Sequence, residues 1–344
     1  MRPKVVHLID DTKLGGVNLA LESLAASTLQ QSFSFKLLYR QFNSCSFQRY
    51  QADVIVVHAA ASWRKLPAFI ALKLANIGTP ILYQEHHYSR EFVRHCVQEP
   101  RRFILMLKLT YRLMDKVLLV SESQRHWLAE LEITTAAKMV LVGQGKELAA
   151  FTALPSKTYT PSSVEPLKLL AYGRLSEQKG FDLLIRAMAK LPAEKVQLAI
   201  AGEGDQQAEL VKLANGLSHV EFVGEVQDVA NFLAAGDIVI IPSRWEPFGL
   251  TCIEAIAAGK AVIVANLDGL ADQTAALASS QPKEPQAFKL LNELSVTGIE
   301  IALKQVVEGE RLQVSDAHRV SCEGVWLSVL NNWQQLLTQI TAKR

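Results

Sequence analysis

The sequence predicts an α/β protein built of two doubly wound domains, on three observations. Short apolar runs closed by turn residues alternate with helical stretches, the pattern of parallel sheets. The length of 344 residues suits two domains of ordinary size better than one. A stretch carrying Pro155, Pro161 and Pro166, with Ser, Thr and Lys between them, divides the chain near its middle. It reads as a linker and a hinge. The expected domains are residues 1–154 and 167–315, followed by a helical segment, 316–344.

Composition points the same way, with 49% hydrophobic and 20% charged residues and no low-complexity tract. No apolar run approaches the roughly 18–20 residues a membrane span needs. The first apolar run, Lys4 to Ile9, meets Asp10 and Asp11 at once and so reads as a first strand rather than a signal peptide. Cytoplasmic location is the default expectation. Cys45, Cys96, Cys252 and Cys322 are scattered and make neither a zinc signature nor a disulfide framework, so they read as buried free thiols. The net charge of +2 hides an asymmetry: residues 1–150 hold 19 Lys and Arg against 12 Asp and Glu. A basic first half either meets something anionic or is a chance imbalance. Nothing points to nucleic acid.

In the first half, Val5–Ile9 is the first strand. A loop with Gly15 and Gly16 follows, then a helix from about Leu19 to Leu29. Phe35–Tyr39 and Val54–Val57 read as strands and Ala68–Ala75 as a helix. Pro80 to Tyr88 carries two histidines, His86 and His87, directly after a strand, where function collects in such sheets. Arg101, Arg102, Lys108 and Arg112 interleave with Phe103–Leu107 and Leu109. That pattern fits a core helix with a basic outer face or a helix lying on an anionic lipid surface. Val117–Val120 is a strand, Ser121 caps the next helix, and Met139–Val142 is a further strand.

In the second half, Leu167–Tyr172 leads into Gly173, Arg174 and, five residues beyond the arginine, Lys179. Two cations at the mouth of a strand suit a diphosphate leaving group. Gln197–Ala201 ends in Gly202-Glu203-Gly204, and Val220–Val223 leads to Val226. Ile238–Ile241 is a strand, Trp245 to Gly249 a loop, and Ala255–Ala258 propagates a helix with Thr251 as its expected N-cap. Gly259 fits the C′ position, and Ala261–Ala265 is the next strand. Glu246 and Glu254 bracket loop and helix. Carboxylates suit sugar or ribose hydroxyls, and the amides from Gly249 to Thr251 suit an anion. The Gln281–Pro285 segment reads as a surface loop. Trp326, Leu327, Leu330, Trp333 and Leu337 lie at helical spacing and read as core.

The string Pro242-Ser-Arg-Trp-Glu-Pro-Phe-Gly-Leu-Thr-Cys-Ile-Glu-Ala-Ile-Ala-Ala-Gly-Lys-Ala-Val262 resembles the signature of the retaining glycosyltransferases of family 4, which have the GT-B fold. Gly173-Arg174-Leu175 followed by Lys179-Gly180 matches a second motif of that family without a gap. The resemblance implies two Rossmann-like domains facing across a cleft, with the last helix crossing back to the first domain. A nucleotide-sugar donor, most often a UDP- or GDP-sugar, would be held mainly by the second domain, with no cofactor and no metal. It implies Arg174 and Lys179 on the diphosphate, Glu246 on the sugar hydroxyls and Glu254 on the ribose. Gly173, Gly202, Gly204, Phe248, Gly249, Leu250 and Thr251 would line the donor site, with Val226 near the base. Gly15 and Gly16 resemble the family's glycine loop, and His86, with His87 as the alternative, its histidine. Departures are clear at Gly143 to Glu147, where the family carries Asn and Asp, and after Asn266. The expected reaction is retaining transfer to a glycan or lipid-linked acceptor in envelope polysaccharide or lipopolysaccharide synthesis, with peripheral membrane contact through Arg101–Arg112. The rival readings are a non-catalytic sugar-nucleotide binder and a sugar-nucleotide epimerase.

Overall fold

The computed structural model describes residues 2–11, 15–155, 165–280 and 286–342. Most of the expected linker and the segment Gln281–Pro285 lie outside these residues. The chain forms two compact units, residues 1–146 with 325–344, and residues 147–324.

Each unit is built on a six-stranded parallel sheet. The first comprises β1 (Lys4–Ile9), β2 (Ser34–Tyr39), β3 (Val54–His58), β4 (Ile81–Glu85), β5 (Lys116–Leu119) and β6 (Met139–Leu141), in the order β2-β1-β3-β4-β5-β6. The second comprises β7 (Leu167–Tyr172), β8 (Val196–Ala201), β9 (Val220–Gly224), β10 (Ile238–Ile241), β11 (Ala261–Ala265) and β12 (Phe288–Leu291), in the order β12-β11-β10-β7-β8-β9. These are doubly wound GT-B-type halves. Strand order reverses between β1 and β3 and between β7 and β10, and the carboxyl ends of strands at such a reversal are where open α/β sheets bind ligands.

The strands form where apolar β-branched runs can be buried on both faces: every residue of β3, β4, β10 and β11 is buried. In the first unit, alternation divides two cores. Val6, Leu8, Ile55 and Val57 pack with Phe69, Leu72, Leu107 and Tyr111 from the helices Leu66–Ala75 and Pro100–Leu113. Val5, Val54, Val56 and Leu82 face the other way, onto Leu24, Trp326, Trp333 and Leu337. The helix Asp316–Thr341 supplies Trp326, Trp333 and Leu337.

Several local expectations hold at residue level. Ser121 Oγ accepts from Gln124 N at the start of the helix Glu122–Glu130. Gly259 has φ +73° and its N–H reaches Ile256 O at 2.9 Å. Others need correction. Leu327 is 65% exposed, because a 100° step from Trp326 turns it away from the sheet. Cys45 and Cys96 are exposed, and only Cys252 and Cys322 are buried thiols. The first helix begins earlier than periodicity alone indicates, at Gly16, and a short 3₁₀ turn, Thr28–Gln31, follows it.

Candidate functional site

In the second unit the loops after β7, β8 and β10 meet at the carboxyl edge of the sheet. Two glycines make the approach possible. Gly180 has φ +65°, and a Cβ there would stand 2.0 Å from the carbonyl oxygen of Pro242. Gly202 has φ +130°, and its Cβ would stand 1.9 Å from the carbonyl of Gly173. Only a residue without a side chain permits these contacts. Gly204 is packed in the same way against the main chain of Leu175.

On this bare backbone the charged groups converge. Lys179 ends a 3₁₀ turn, Glu177–Lys179, and its Nζ lies 2.5 Å from Glu246 Oε2. Both side chains are largely buried, and Ser243 Oγ donates to the same carboxylate oxygen at 3.3 Å. The Lys179 chain also lies along Gly173, 3.2 Å from where its Cβ would be. Thus Gly173, Lys179 and Glu246, 73 residues apart in sequence, share one site. Glu254 is buried in the helix Leu250–Ala257 and accepts from Tyr172 OH at 2.7 Å. Burial, with the Glu254 charge beside it, holds the Tyr172 phenol well above its ordinary range, so it is a donor at all working pH values. Arg174 lies exposed at the start of the loop. Phe248, Leu250 and Thr251 are half-buried around the buried Gly249, and Val226 follows the end of β9. Thr251 is not the N-cap: Gly249 is, with φ +94°, and the helix begins at Leu250. The left-handed turn at glycine brings the chain into the helix two residues sooner than a threonine cap would.

A second layer holds these loops together, and its members were not legible as site residues. Arg244 donates two hydrogen bonds to Asp182, at 2.8 and 2.7 Å, and a third to Glu177 O at 2.8 Å. Arg244 N donates to Gln178 O at 2.7 Å and Gln178 Nε2 to Trp245 O at 3.0 Å. Arg244 and Gln178 therefore lock the turn carrying Lys179 to the loop carrying Glu246. Burial works against the Asp182 carboxylate, but Arg244 outweighs it and holds the pKa below its ordinary value. On the far side, Asp268 Oδ2 accepts from Glu246 N at 3.2 Å, and Gly269 N donates to Glu246 O at 3.0 Å. The stretch after Asn266, where the sequence motif fades, is thus the support of the Glu246 loop. Asp268 reaches this position with φ +43°, a conformation Asp tolerates better than most residues.

In the first unit, Gly15 is the N-cap of the helix Gly16–Ala26 and has an extended φ of −170°, so a left-handed turn is not the reason for glycine there. His86 follows β4, is 8% exposed, and has both ring nitrogens engaged, Nε2 with His58 Nδ1 at 3.0 Å and Nδ1 with Gln144 Oε1 at 3.3 Å. Burial, helped by the nearby His87, lowers its pKa to about 3. Glu85 Oε1 lies 3.9 Å from His87 Nδ1. Its buried carboxyl accepts the main-chain N–H groups of His87 and Tyr88, at 2.8 and 3.0 Å, and the Tyr111 hydroxyl at 2.5 Å. Burial raises its pKa to about 7, against those three donors.

Residues 156–289 match the family model for glycosyl transferases group 1. A glycogen synthase of Halorhodospira halophila is 31% identical over 185 residues, covering 50% of this chain and 38% of that relative's length. The chain thus spans well under half of that relative. Among solved structures, sucrose-phosphate synthase from Thermosynechococcus elongatus superposes with a TM-score of 0.78 at 17% identity over 100% of both chains. Anabaena HepE in complex with UDP and glucose gives 0.74 at 18%, covering 98% of this chain and 100% of the other. Both likenesses establish the GT-B fold. The matched domain holds Gly173, Lys179, Glu246 and Glu254, together with the Arg244–Asp182 pair. Among the described residues no helix is long and apolar enough to cross a membrane.

Proposed function

We propose that the chain is a retaining glycosyltransferase of family 4, using a UDP- or GDP-sugar and a glycan or lipid-linked acceptor. The observation carrying this is the buried Lys179–Glu246 pair at the reversal point between β7 and β10, beside glycines packed too closely for side chains. In this reading the C1–O bond of the donor breaks and its electron pair leaves with the diphosphate. Lys179, largely buried, and the exposed Arg174 beside it stabilise the charge that grows there. The acceptor hydroxyl forms the new bond on the same face of the sugar. Its proton passes to an oxygen of the leaving phosphate, so the scheme calls on neither a carboxylate base nor a metal ion. Glu246, held in place by Lys179 and Ser243, orients sugar hydroxyls, and Glu254 binds the ribose. Gly202, Gly204, Phe248, Gly249, Leu250 and Thr251 line the donor, with Val226 by the base.

We further propose envelope glycan synthesis, with the protein at the cytoplasmic membrane face. The helix Pro100–Leu113 contains no acidic residue and sets Arg101, Leu105, Lys108 and Arg112 on its outer side, with Leu105 51% exposed. The neighbouring helix Leu66–Ala75 adds exposed Ile70 and Leu74. Sedimentation with phosphatidylglycerol vesicles, lost in a Leu105→Glu variant, is the expected outcome; recovery of all the protein in the supernatant defeats the membrane reading.

The test of the donor site is thermal stabilisation by a panel of sugar nucleotides. A ligand at 100 times its Kd adds about 2.7 kcal/mol. The shift is expected with one UDP- or GDP-sugar and is expected to vanish in Glu246→Gln with Lys179→Met. The absence of a shift across the panel would overturn the assignment.

A further inference from the structure

Three histidines from separate strands form a continuous chain inside the first unit. His7 on β1, His58 at the end of β3 and His86 just beyond β4 share the sheet face of Val5, Val56 and Leu82. His7 Nδ1 lies 2.8 Å from His58 Nε2, His58 Nδ1 lies 3.0 Å from His86 Nε2, and His86 Nδ1 lies 3.3 Å from Gln144 Oε1. All four residues are at least nine-tenths buried. The His7 and His58 ring planes are 12° from parallel with centroids 5.0 Å apart, and His7 rests against Phe35 and Trp333.

The direction of the protons in this chain follows from its two ends. A neutral imidazole has one donor and one acceptor nitrogen, so a single choice propagates through all three rings. With Nδ1–H on each, His7 donates to His58, His58 to His86, and His86 to the oxygen of Gln144. What remains is the His7 Nε2 lone pair, buried without a partner. With Nε2–H on each, the chain would end instead in a buried, unpartnered N–H on His7. The amide of Gln144 would also have to turn to present its nitrogen inward. Orphaned buried N–H groups are the rarer and costlier defect. The first arrangement is therefore selected.

We propose that His7 and His58 are positioning residues that fix His86 as its Nδ1–H tautomer and, through it, hold the Gln144 side-chain amide with oxygen inward and its N–H pair turned away from the ring. Gln144 stands beyond β6, at the carboxyl edge of the sheet, between Gly143 and Gly145. Since both nitrogens of His86 are spent within the chain, the side-chain hydrogen bonding offered here to a sugar or phosphate oxygen comes from Gln144. In that reading the ligand-directed polar group is the glutamine rather than the histidine ring. That last step rests on the glycosyltransferase reading above; the tautomer does not.

The deciding experiment is nitrogen-15 NMR of the intact protein with labelled histidine and glutamine side chains. The expected result is Nδ1–H on His58 and His86, with scalar coupling across the ring-to-ring hydrogen bonds. His58→Phe is expected to shift the His86 tautomer ratio and the Gln144 amide pair while circular dichroism stays native. Nε2–H on His86 in the wild-type protein overturns the proposal, and this readout stands even if the variant does not fold. A His86 ring unchanged in folded His58→Phe overturns it as well. In transfer assays Gln144→Met is expected to raise the KM of one substrate about tenfold, the value of one hydrogen bond, with kcat held within threefold. If neither KM moves, Gln144 is not the ligand-directed group. If wild-type protein transfers no sugar while the NMR result holds, the functional reading fails and the positioning chain survives.

Discussion

Replacing Arg244 with methionine removes the side chain that clasps two loops of the candidate site. The two hydrogen bonds to Asp182, at 2.8 and 2.7 Å, are charge-assisted and bidentate. Side-chain exposures of 16% and 30% place the pair between surface and interior. Fully exposed pairs contribute about 0–1 kcal/mol, and hydrogen bonds to charged groups about 1.5–3 kcal/mol. Discounting for partial solvent access leaves a coupling of about 2 kcal/mol between the two side chains. In a unit of this size that corresponds to a fall of roughly 4–8 °C in Tm for Arg244→Met, plus whatever the lost bond to Glu177 O contributes. The assay is a double-mutant cycle with Asp182→Asn, read by urea unfolding of the second unit. Arg244→Met should also weaken sugar-nucleotide binding, because the turn holding Lys179 loses its anchor to the Glu246 loop. A coupling below about 0.5 kcal/mol, within the scatter of independent sites, would refute the clamp.

The remaining expectations concern charge and backbone. His7 and His86 have folded pKa values near 3, lowered by burial, against an unfolded value of 6.5. The unfolded chain therefore binds more protons below pH 6.5, and stability falls as pH falls through that window, by about 2 kcal/mol per histidine at pH 5. Glu85 acts in the opposite sense. Its pKa is raised to about 7, so the stability its protonated form provides is lost as pH rises from about 4.5 to 7. Tm of Glu85→Gln should therefore climb more steeply between pH 5 and 7 than that of the wild-type protein; equal slopes would show that Glu85 is already ionised when folded. Gly202→Ala would place a methyl 1.9 Å from the Gly173 carbonyl at φ +130°. It should destabilise the second unit by at least ~3 kcal/mol, and a Tm within 2 °C of wild type, about the effect of half a kcal/mol, would contradict the packing described.

What could be read in advance, and what could not, divides along the distance in sequence between interacting groups. β10 and β11 were legible to the residue because a strand buried on both faces has no choice but an unbroken apolar run. The positions of Lys179, Glu246 and Glu254 were legible because each follows or enters such a strand–loop–helix unit within a few residues. Arg244 and Asp182 were not: they stand 62 residues apart, and neither lies in a pattern that announces a partner. The histidine chain was hidden for the same reason. His7 sits alone in Lys4–Ile9 and His58 ends an apolar run, and each by itself reads as a single polar residue in a buried strand. Only the register that sets Ile9 beside His58, and the order that places β3 between β1 and β4, bring the three rings into line. The loop after Asn266 misled for a related reason. A motif records the side chains that touch ligand, whereas Asp268 and Gly269 act on the main chain of Glu246. Many sequences can supply two such backbone contacts, so the support of the site leaves little trace in any one of them.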